Sequence, residues 1–335
     1  MKVLLFGYGL IGKERYKALI ELNISSEHDI DIVDPNKGQE TIATPNLKNK
    51  TVVNKELNFI DQSRIKEHFD LIIISAPHIE SRDLLFKYSH LSDLILIEKP
   101  MGLNVEDAIK IDKLSKRNKN IYVGLNYRFF PPIMKLKQDL IEEKFGKILS
   151  ISMTIGLGHQ ENAEKSWRLD PKQIPYGSLI DPGIHILDLI KYLFGDINSI
   201  KSHSSGNVWN KNFFEDIVFI AKTTSDANLM VNISNVMWRS TFKIQVIGTS
   251  GYGIMEGRGR SYGKQIYKTG LKWGWSQNTT QRESEIIVSE SDCENSFTDE
   301  LKDILIEGNK IAATSKDGLN AMKLLDDIDK TLKST

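Results

Sequence analysis

One cysteine, Cys293, stands in a chain of 335 residues. That scarcity excludes an internal disulfide and any cysteine-rich zinc site. An excess of either charge is lacking too: Lys and Arg together number 44, as do Asp and Glu. The balance offers nucleic acid no global attraction, and no polybasic segment offers one to a membrane surface. No stretch reaches the roughly 18 consecutive apolar residues of a membrane-spanning helix. The apolar start is too short for a signal peptide and is broken at once by glycines, so a cytoplasmic protein is expected. Internal repeats and low-complexity linkers are absent. Six of the histidines, His28, His68, His78, His90, His159 and His203, fall at no spacing typical of a metal site, and no metal is expected. What remains is a globular composition, 40% hydrophobic and 26% charged, on a chain too long for one ordinary core and about right for two domains.

What the chain does have is concentrated at its start. Lys2-Val3-Leu4-Leu5-Phe6 reads as a buried strand, and Gly7-Tyr8-Gly9-Leu10-Ile11-Gly12 follows with no spacer. A helix is expected from the third glycine, with Tyr16, Ala18, Leu19, Ile20 and Leu22 mostly on one face. Strand, glycine turn and helix come in the order that a dinucleotide needs. The first glycine lets the chain turn, the second lets the backbone approach a pyrophosphate, and the third lets helix and strand pack closely. The helix N-terminus then faces the phosphates with free N–H groups. A second apolar run, Ile30-Asp31-Ile32-Val33, ends at Asp34, where a ribose-binding carboxylate is expected. Asp34 would accept both ribose hydroxyls of NAD but would sit beside the 2′-phosphate of NADP. Like charges at about 4 Å repel by about 4 kcal/mol at an effective dielectric near 20, more than the roughly 2.8 kcal/mol behind a hundredfold preference. NAD is therefore favoured over NADP, with Lys37 close enough to soften the preference.

Further buried strands are expected at Leu71-Ile72-Ile73-Ile74, running into Ser75-Ala76-Pro77, at Leu94-Ile95-Leu96-Ile97, running into Glu98-Lys99-Pro100, and at Ile121-Tyr122-Val123. A weak helix and a short strand near Thr51-Val52-Val53 fill the polar stretch between, and Asn104 to Lys116 reads as a helix. Strands alternating with helices argue for a parallel, doubly wound sheet whose ligands lie beyond the carboxyl ends of the strands. Gly7, Asp34, Ser75, Ala76, Pro77, Glu98 and Lys99 all fall there. Past Arg128 the pattern changes to longer strands around 148–155, 214–222, 227–236, 242–247 and 252–256, with a helical stretch over 178–194 and a helical tail. This is an α/β chain: a doubly wound domain over 1–124, then an α+β domain over 125–335 with an open-faced, mainly antiparallel sheet whose free face is a natural oligomer surface.

Two clusters carry candidate chemistry. Lys99, at the end of a buried strand, is either a solvated loop lysine or a cation that polarises a substrate oxygen beside the nicotinamide. The bond between Lys99 and Pro100 is a candidate cis bond, which would be an exception even for proline. Asp181-Pro182-Gly183-Ile184-His185 puts a carboxylate and an imidazole one turn apart if the segment is helical. That pair serves either as a helix cap and a packed histidine, or as a general base whose tautomer the aspartate holds. Asp188 is read as structural.

The chain resembles the glucose-fructose oxidoreductase / inositol dehydrogenase / MocA (Gfo/Idh/MocA) family along nearly its full length. The matching residues are Gly7 to Gly12, Glu98-Lys99-Pro100, Val123 to Phe129, Trp167-Arg168, Asp181 to His185, Ile247 to Gly251 and Asp317-Gly318-Leu319. The resemblance implies a Rossmann domain, a second sheet domain that forms homodimers or homotetramers, and NAD(P)-linked chemistry on sugars, cyclitols or nucleotide sugars. It implies that His185 takes the proton of the substrate hydroxyl, Lys99 stabilises the alkoxide and Asp181 orients the pair. Asn126 and Arg128 would line the substrate end, and Trp167 and Arg168 would reach the cofactor. The family also includes glycosidases that use NAD transiently and non-catalytic regulators; the retained Lys99, Asp181 and His185 speak against the latter. Two positions depart from the pattern. Ser81 stands where a histidine is frequent, with His78 directly after Pro77, and Gly177-Ser178 replaces a glycine pair.

Overall fold

In a computed structural model the described residues are 1–26, 29–36, 57–117, 120–159, 169–206, 208–209, 214–272, 283–287 and 295–334. Trp167, Arg168, Lys37, His28, Cys293 and the strand expected near Thr51 lie outside them. Two compact units divide the chain, Met1–Asn126 with Phe297–Leu319, and Tyr127–Ser296 with Asn320–Thr335.

The first unit runs β1 (Val3–Phe6), α1 (Leu10–Glu21), β2 (Ile30–Val33), β3 (Asn58–Phe59), β4 (Leu71–Ile74), α2 (His78–Tyr88), β5 (Leu94–Glu98), α3 (Val105–Ser115) and β6 (Asn120–Gly124). Its six strands pair in the order β3-β2-β1-β4-β5-β6, every pair parallel. β1 and β4 are buried at every position, which is why their sequences are continuous apolar runs with no alternation. The side-chain oxygen of Asn104 caps α3 by accepting the Asp107 N–H at 2.9 Å, satisfying one of the donors that a helix start leaves open.

One expectation is corrected here. α1 begins at Leu10, with Gly9 as its N-cap, and not at Gly12. The Lys13 N–H already reaches the Gly9 carbonyl at 3.0 Å, so the third glycine lies inside the helix. By its contacts the segment Phe297–Leu319 groups with the first unit. The reason is polar pairing that sequence separation hides: Arg15 is fully buried and meets Glu300 at 2.5 Å, the Val123 N–H donates to the Ala313 carbonyl at 2.8 Å, and Ser315 donates to Asp112 at 3.1 Å.

The second unit holds α4 (Pro131–Ile141), β7 (Ile148–Gly158), α5 (Ile184–Phe194), β8 (Ile197–Ser205), β9 (Asp216–Thr223), β10 (Asn228–Ser234), β11 (Val236–Gly248), β12 (Gly251–Glu256), β13 (Ile266–Leu271) and β14 (Glu283–Ile287). Two C-terminal helices follow, α6 (Ser296–Leu305) and α7 (Ser315–Lys333). The eight strands pair in the order β14-β13-β12-β11-β7-β10-β9-β8, antiparallel except where β10 lies parallel to β7. Along β9 the buried Ile217, Phe219 and Ala221 alternate with the exposed Val218 and Ile220, the period-two signature of a sheet with one covered face. β13 and β14, which the sequence did not signal, extend that sheet. The pair Pro131-Pro132 starts α4 at its first two positions, where a missing N–H costs nothing. Among the described residues no helix is long and apolar enough to cross a membrane.

Candidate active site

The three glycines of the opening turn have separate surroundings. Gly7 has φ +82°, and a Cβ there would lie 2.7 Å from the Ser75 carbonyl oxygen, so β1 and the end of β4 approach closely because nothing intervenes. A Cβ on Gly12 would fall 2.0 Å from the Gly7 oxygen, which makes this glycine the contact that seats α1 on β1. A Cβ on Gly9 would meet nothing within 4 Å. Gly9 is therefore not required by protein packing, and the space before its backbone is open at the start of α1, where free N–H groups suit an anion. Leu10, exposed, and Ile11, half-buried, open α1 beside it.

Asp34, at the end of β2, accepts the Tyr8 N–H on Oδ2 at 2.6 Å and the Asn36 N–H on Oδ1 at 2.7 Å. The carboxylate is thereby clamped to the glycine turn. Each oxygen keeps a further lone pair for a ribose hydroxyl. Only the backbone of Tyr8 serves the turn: its ring packs edge-on against Tyr16 and Phe59, and burial pushes its hydroxyl pKa up to about 12. Ser75 donates to the Phe6 and Gly7 carbonyls, each at 3.1 Å. Ser81, at the departing position, donates to the Ala76 carbonyl at 2.7 Å and so fixes the loop through Pro77 that a histidine would otherwise line.

Glu98 closes β5. Its Oε1 accepts from Arg15 Nε at 2.8 Å, while Arg15 also pairs with Glu300 and lies 4.8 Å from the Phe297 ring. Burial opposes the Arg15 charge, but the two carboxylates outweigh it and raise its pKa. The Glu98 carboxylate lies so close to Gly124 that a Cβ there would be 2.5 Å from Oε2. Glu98 thus anchors the strand end from which Lys99 projects, half-buried, before a cis bond to Pro100.

In the second unit, the Asp181–Pro182 bond is also cis. Asp181 lies before α5 and not within it, because the helix starts at Ile184 with Gly183 as N-cap. A Cβ on Gly183 would be 2.6 Å from the Ser178 oxygen, so only glycine fits the turn that leads into the helix. Ser178, in place of a second glycine, donates through Oγ to the Glu215 carbonyl at 2.9 Å. The Asp181 carbonyl accepts from Asn235 Nδ2 at 3.0 Å. His185, second residue of α5, is only 6% exposed and stacks on Tyr127 with ring centroids 3.7 Å apart and planes within 3°. Arg128 is drawn elsewhere: it grips Asp188 through Nε at 2.9 Å and Nη2 at 2.5 Å and packs 4.6 Å from the Tyr192 ring. Its fork holds α5 in place, in keeping with the structural reading of Asp188. Asn126 is buried in the turn before Tyr127.

With this geometry in hand, comparison with known proteins decides the family. Residues 1–127 match the oxidoreductase family's NAD-binding Rossmann fold, and residues 137–330 match its C-terminal alpha/beta domain. The chain belongs to the Gfo/Idh/MocA oxidoreductase family. Glucose-6-phosphate 3-dehydrogenase of Bacillus subtilis (strain 168) is 27% identical over 194 residues, 53% of this chain and 54% of that protein. The scyllo-inositol 2-dehydrogenase (NAD(+)) of the same organism is 26% identical over 148 residues, 44% of this chain and 41% of that one. The chain thus spans about half the length of these relatives or less. An NAD binding oxidoreductase from Klebsiella pneumoniae has the same fold, with a TM-score of 0.78 at 15% identity over 99% of this chain and 96% of that one.

To the expected site residues the structure adds Tyr127, which lies within the matching run Val123 to Phe129 without an expected role there, together with Asn235 and Arg258. Arg258 lies 5.3 Å from the Tyr127 ring and 3.7 Å from the Tyr262 ring. The signal was present in the Gly-Arg-Gly-Arg run at 257–260, but nothing in the order of residues ties it to His185.

Proposed function

We propose that the protein is an NAD-dependent oxidoreductase acting on a hydroxyl of a sugar, cyclitol or nucleotide sugar. Family membership supports a dinucleotide-linked redox reaction. The observation that carries it to this chain is the open space at Gly9 beside the clamped Asp34, a cradle with no role in packing. The glycine turn and the α1 N-terminus would hold the pyrophosphate, and Asp34 the adenosine ribose, whose unphosphorylated 2′-hydroxyl it favours. Ser75, Ala76, Pro77, Glu98 and Lys99 stand at strand ends on the same sheet, and Trp167 and Arg168 complete the proposed cofactor contacts. Bound there, the nicotinamide would exchange a hydride with the substrate carbon.

The remaining steps belong to side chains. His185 accepts the hydroxyl proton in oxidation and returns it in reduction, its ring plane fixed by Tyr127. Lys99 stabilises the oxygen as it gains charge, and Asp181 orients the pair. Asn126 borders the substrate end; Arg128 contributes through α5, whose start it steadies. The exposed face of the second sheet would join subunits into a homodimer or homotetramer.

The test is a panel of sugars, inositols and nucleotide sugars followed by NADH absorbance, with NADP run in parallel. Turnover with NAD is expected, and weaker binding of NADP. On the best substrate Lys99→Ala and His185→Ala should each lower kcat by about two to four orders of magnitude while NAD still binds by calorimetry. Unchanged rates would remove those two roles.

A further inference from the structure

The loop after β12 reads Gly257-Arg258-Gly259-Arg260-Ser261-Tyr262-Gly263, and its three glycines all have positive φ, +74°, +85° and +80°. It is closed on itself: the Gly259 N–H donates to the Gly263 carbonyl at 2.8 Å, and the Gly257 N–H reaches the Phe242 carbonyl at 2.9 Å. A Cβ on Gly257 would lie 1.9 Å from the Lys264 oxygen, so the loop is seated by direct backbone contact. This rigid turn holds one guanidinium inward. Arg258 stacks on Tyr262 at 3.7 Å and faces Tyr127 at 5.3 Å, and Tyr127 in turn stacks on His185.

Stacking satisfies the faces of a guanidinium and leaves its edge, with five N–H donors, to be met by something else. Among the described residues, Arg258 Nε is buried with no acceptor, the Tyr262 hydroxyl answers only part of the edge, and Arg258 forms no ion pair with a described carboxylate. Asp181 acts on it only through its field. A cation drawn out of water is costly unless paired, and stacking on aromatic rings returns only part of that cost. One residue beyond Lys264, Gln265 is fully buried, with neither amide atom partnered among the described residues. Arg128 provides the contrast within the same unit: its fork is filled by Asp188.

We propose that Arg258 is a substrate-binding residue, the anchor for an oxyanion carried by the sugar, either a carboxylate or a phosphate, which makes the substrate an acidic sugar and not a neutral hexose or inositol. The assignment rests on the reading of His185 as the proton-accepting group, because Arg258 and His185 both lie against the Tyr127 ring, which would put the anion near the reacting hydroxyl. Two in-plane N–H groups suit bidentate binding of either anion.

The experiment uses the full-length protein and reads binding and turnover separately. Calorimetry with D-glucuronate, glucose 6-phosphate, inorganic phosphate and neutral glucose should show at least one anionic sugar binding tenfold or more tightly than glucose. Uronate and phosphosugar are the arms that tell the two anions apart. Arg258→Met should abolish that preference and leave NAD affinity unchanged; Arg258→Lys, which keeps the charge but not the fork, should recover only part of it. Circular dichroism and NAD binding confirm that each variant is folded. Equal affinity for acidic and neutral sugars in the wild type, or a preference that survives in Arg258→Met, overturns the proposal even where NAD-linked turnover of neutral sugars is found. Anion binding lost in Arg258→Met, with no turnover of any sugar, would instead uphold the anion site and sink the dehydrogenase reading.

Discussion

At the scale of single residues, glycines of the same type do different work within one turn. Gly9 has φ −71° and ψ −161°, backbone that any residue adopts, and empty space where a side chain would point. Gly12 faces a carbonyl at 2.0 Å from its would-be Cβ. Gly9→Ala should therefore leave stability within about 0.5 kcal/mol of wild type and weaken NAD binding at least about tenfold, roughly 1.4 kcal/mol. Gly12→Ala should lower stability by roughly 1 to 3 kcal/mol through overpacking. Thermal melts with and without NAD separate the two; a Gly9→Ala protein that binds NAD as before would show that the open space is not the phosphate cradle. That such a turn exists was legible in the sequence, because strand, glycines and helix are contiguous. The separate task of each glycine was legible with it; the particular carbonyls that crowd Gly7 and Gly12 were not, since they depend on how β1, β4 and α1 pack.

At the scale of elements, buried charge marks where helices are fastened. Arg15 on α1 meets Glu98 at the end of β5 and Glu300 on α6, and Arg128 ties the turn before α4 to Asp188 on α5. A third centre is Asp139 on α4, which accepts from Tyr267 of β13 at 2.8 Å and pairs with Lys144 at 3.1 Å and Lys135 at 3.0 Å. Burial works against the Asp139 charge, but the hydrogen bonds from Tyr267, Lys135 and Lys144 prevail and hold its pKa below the usual carboxylate range. A depressed folded-state pKa contributes stability that is present above the unfolded value, about 4, and is lost as pH falls through the folded one. Asp139→Asn should therefore cost roughly 1 to 3 kcal/mol near pH 7, a gap that narrows below about pH 4. Melting curves of both proteins from pH 7 to pH 3 check this, and a gap independent of pH would refute it. Apart from the i,i+4 pair Lys135–Asp139 within α4, these partners could not be read from sequence: a lone arginine on the apolar side of α1 is visible, but the acids that answer it lie on other elements.

At the scale of the whole molecule, the second sheet keeps one face covered and one open. On the open side Ile220 of β9 stands directly across from Met230 of β10, with Val218 beside them, all exposed. Apolar side chains in cross-strand register on an exposed sheet face suit the proposed subunit association, and a two-fold pairing would use the same patch twice. The paired change Ile220→Glu with Met230→Glu should shift the protein to a smaller species in sedimentation velocity while leaving its far-ultraviolet circular dichroism intact. An unchanged sedimentation coefficient would rule this patch out as a subunit contact. The two-domain plan and the mainly antiparallel sheet were readable from the change of pattern past Arg128. The last two strands were missed because β13 is short and interrupted by Gly270, and β14 is short and half polar.

The sequence alone determined what neighbouring residues impose on one another: the buried parallel strands, the glycine turn, the carboxylate that ends β2, and the aspartate and histidine around Pro182. Those features are local, and local backbone preference and periodicity suffice to write them. Tertiary structure alone decided which distant groups share an environment: Tyr127 on His185, Arg258 on Tyr127, Asn235 on Asp181, and Glu300 on Arg15. Burial sets the energy of a charge or a ring by what surrounds it in space, and that is settled only when separate stretches of chain pack together.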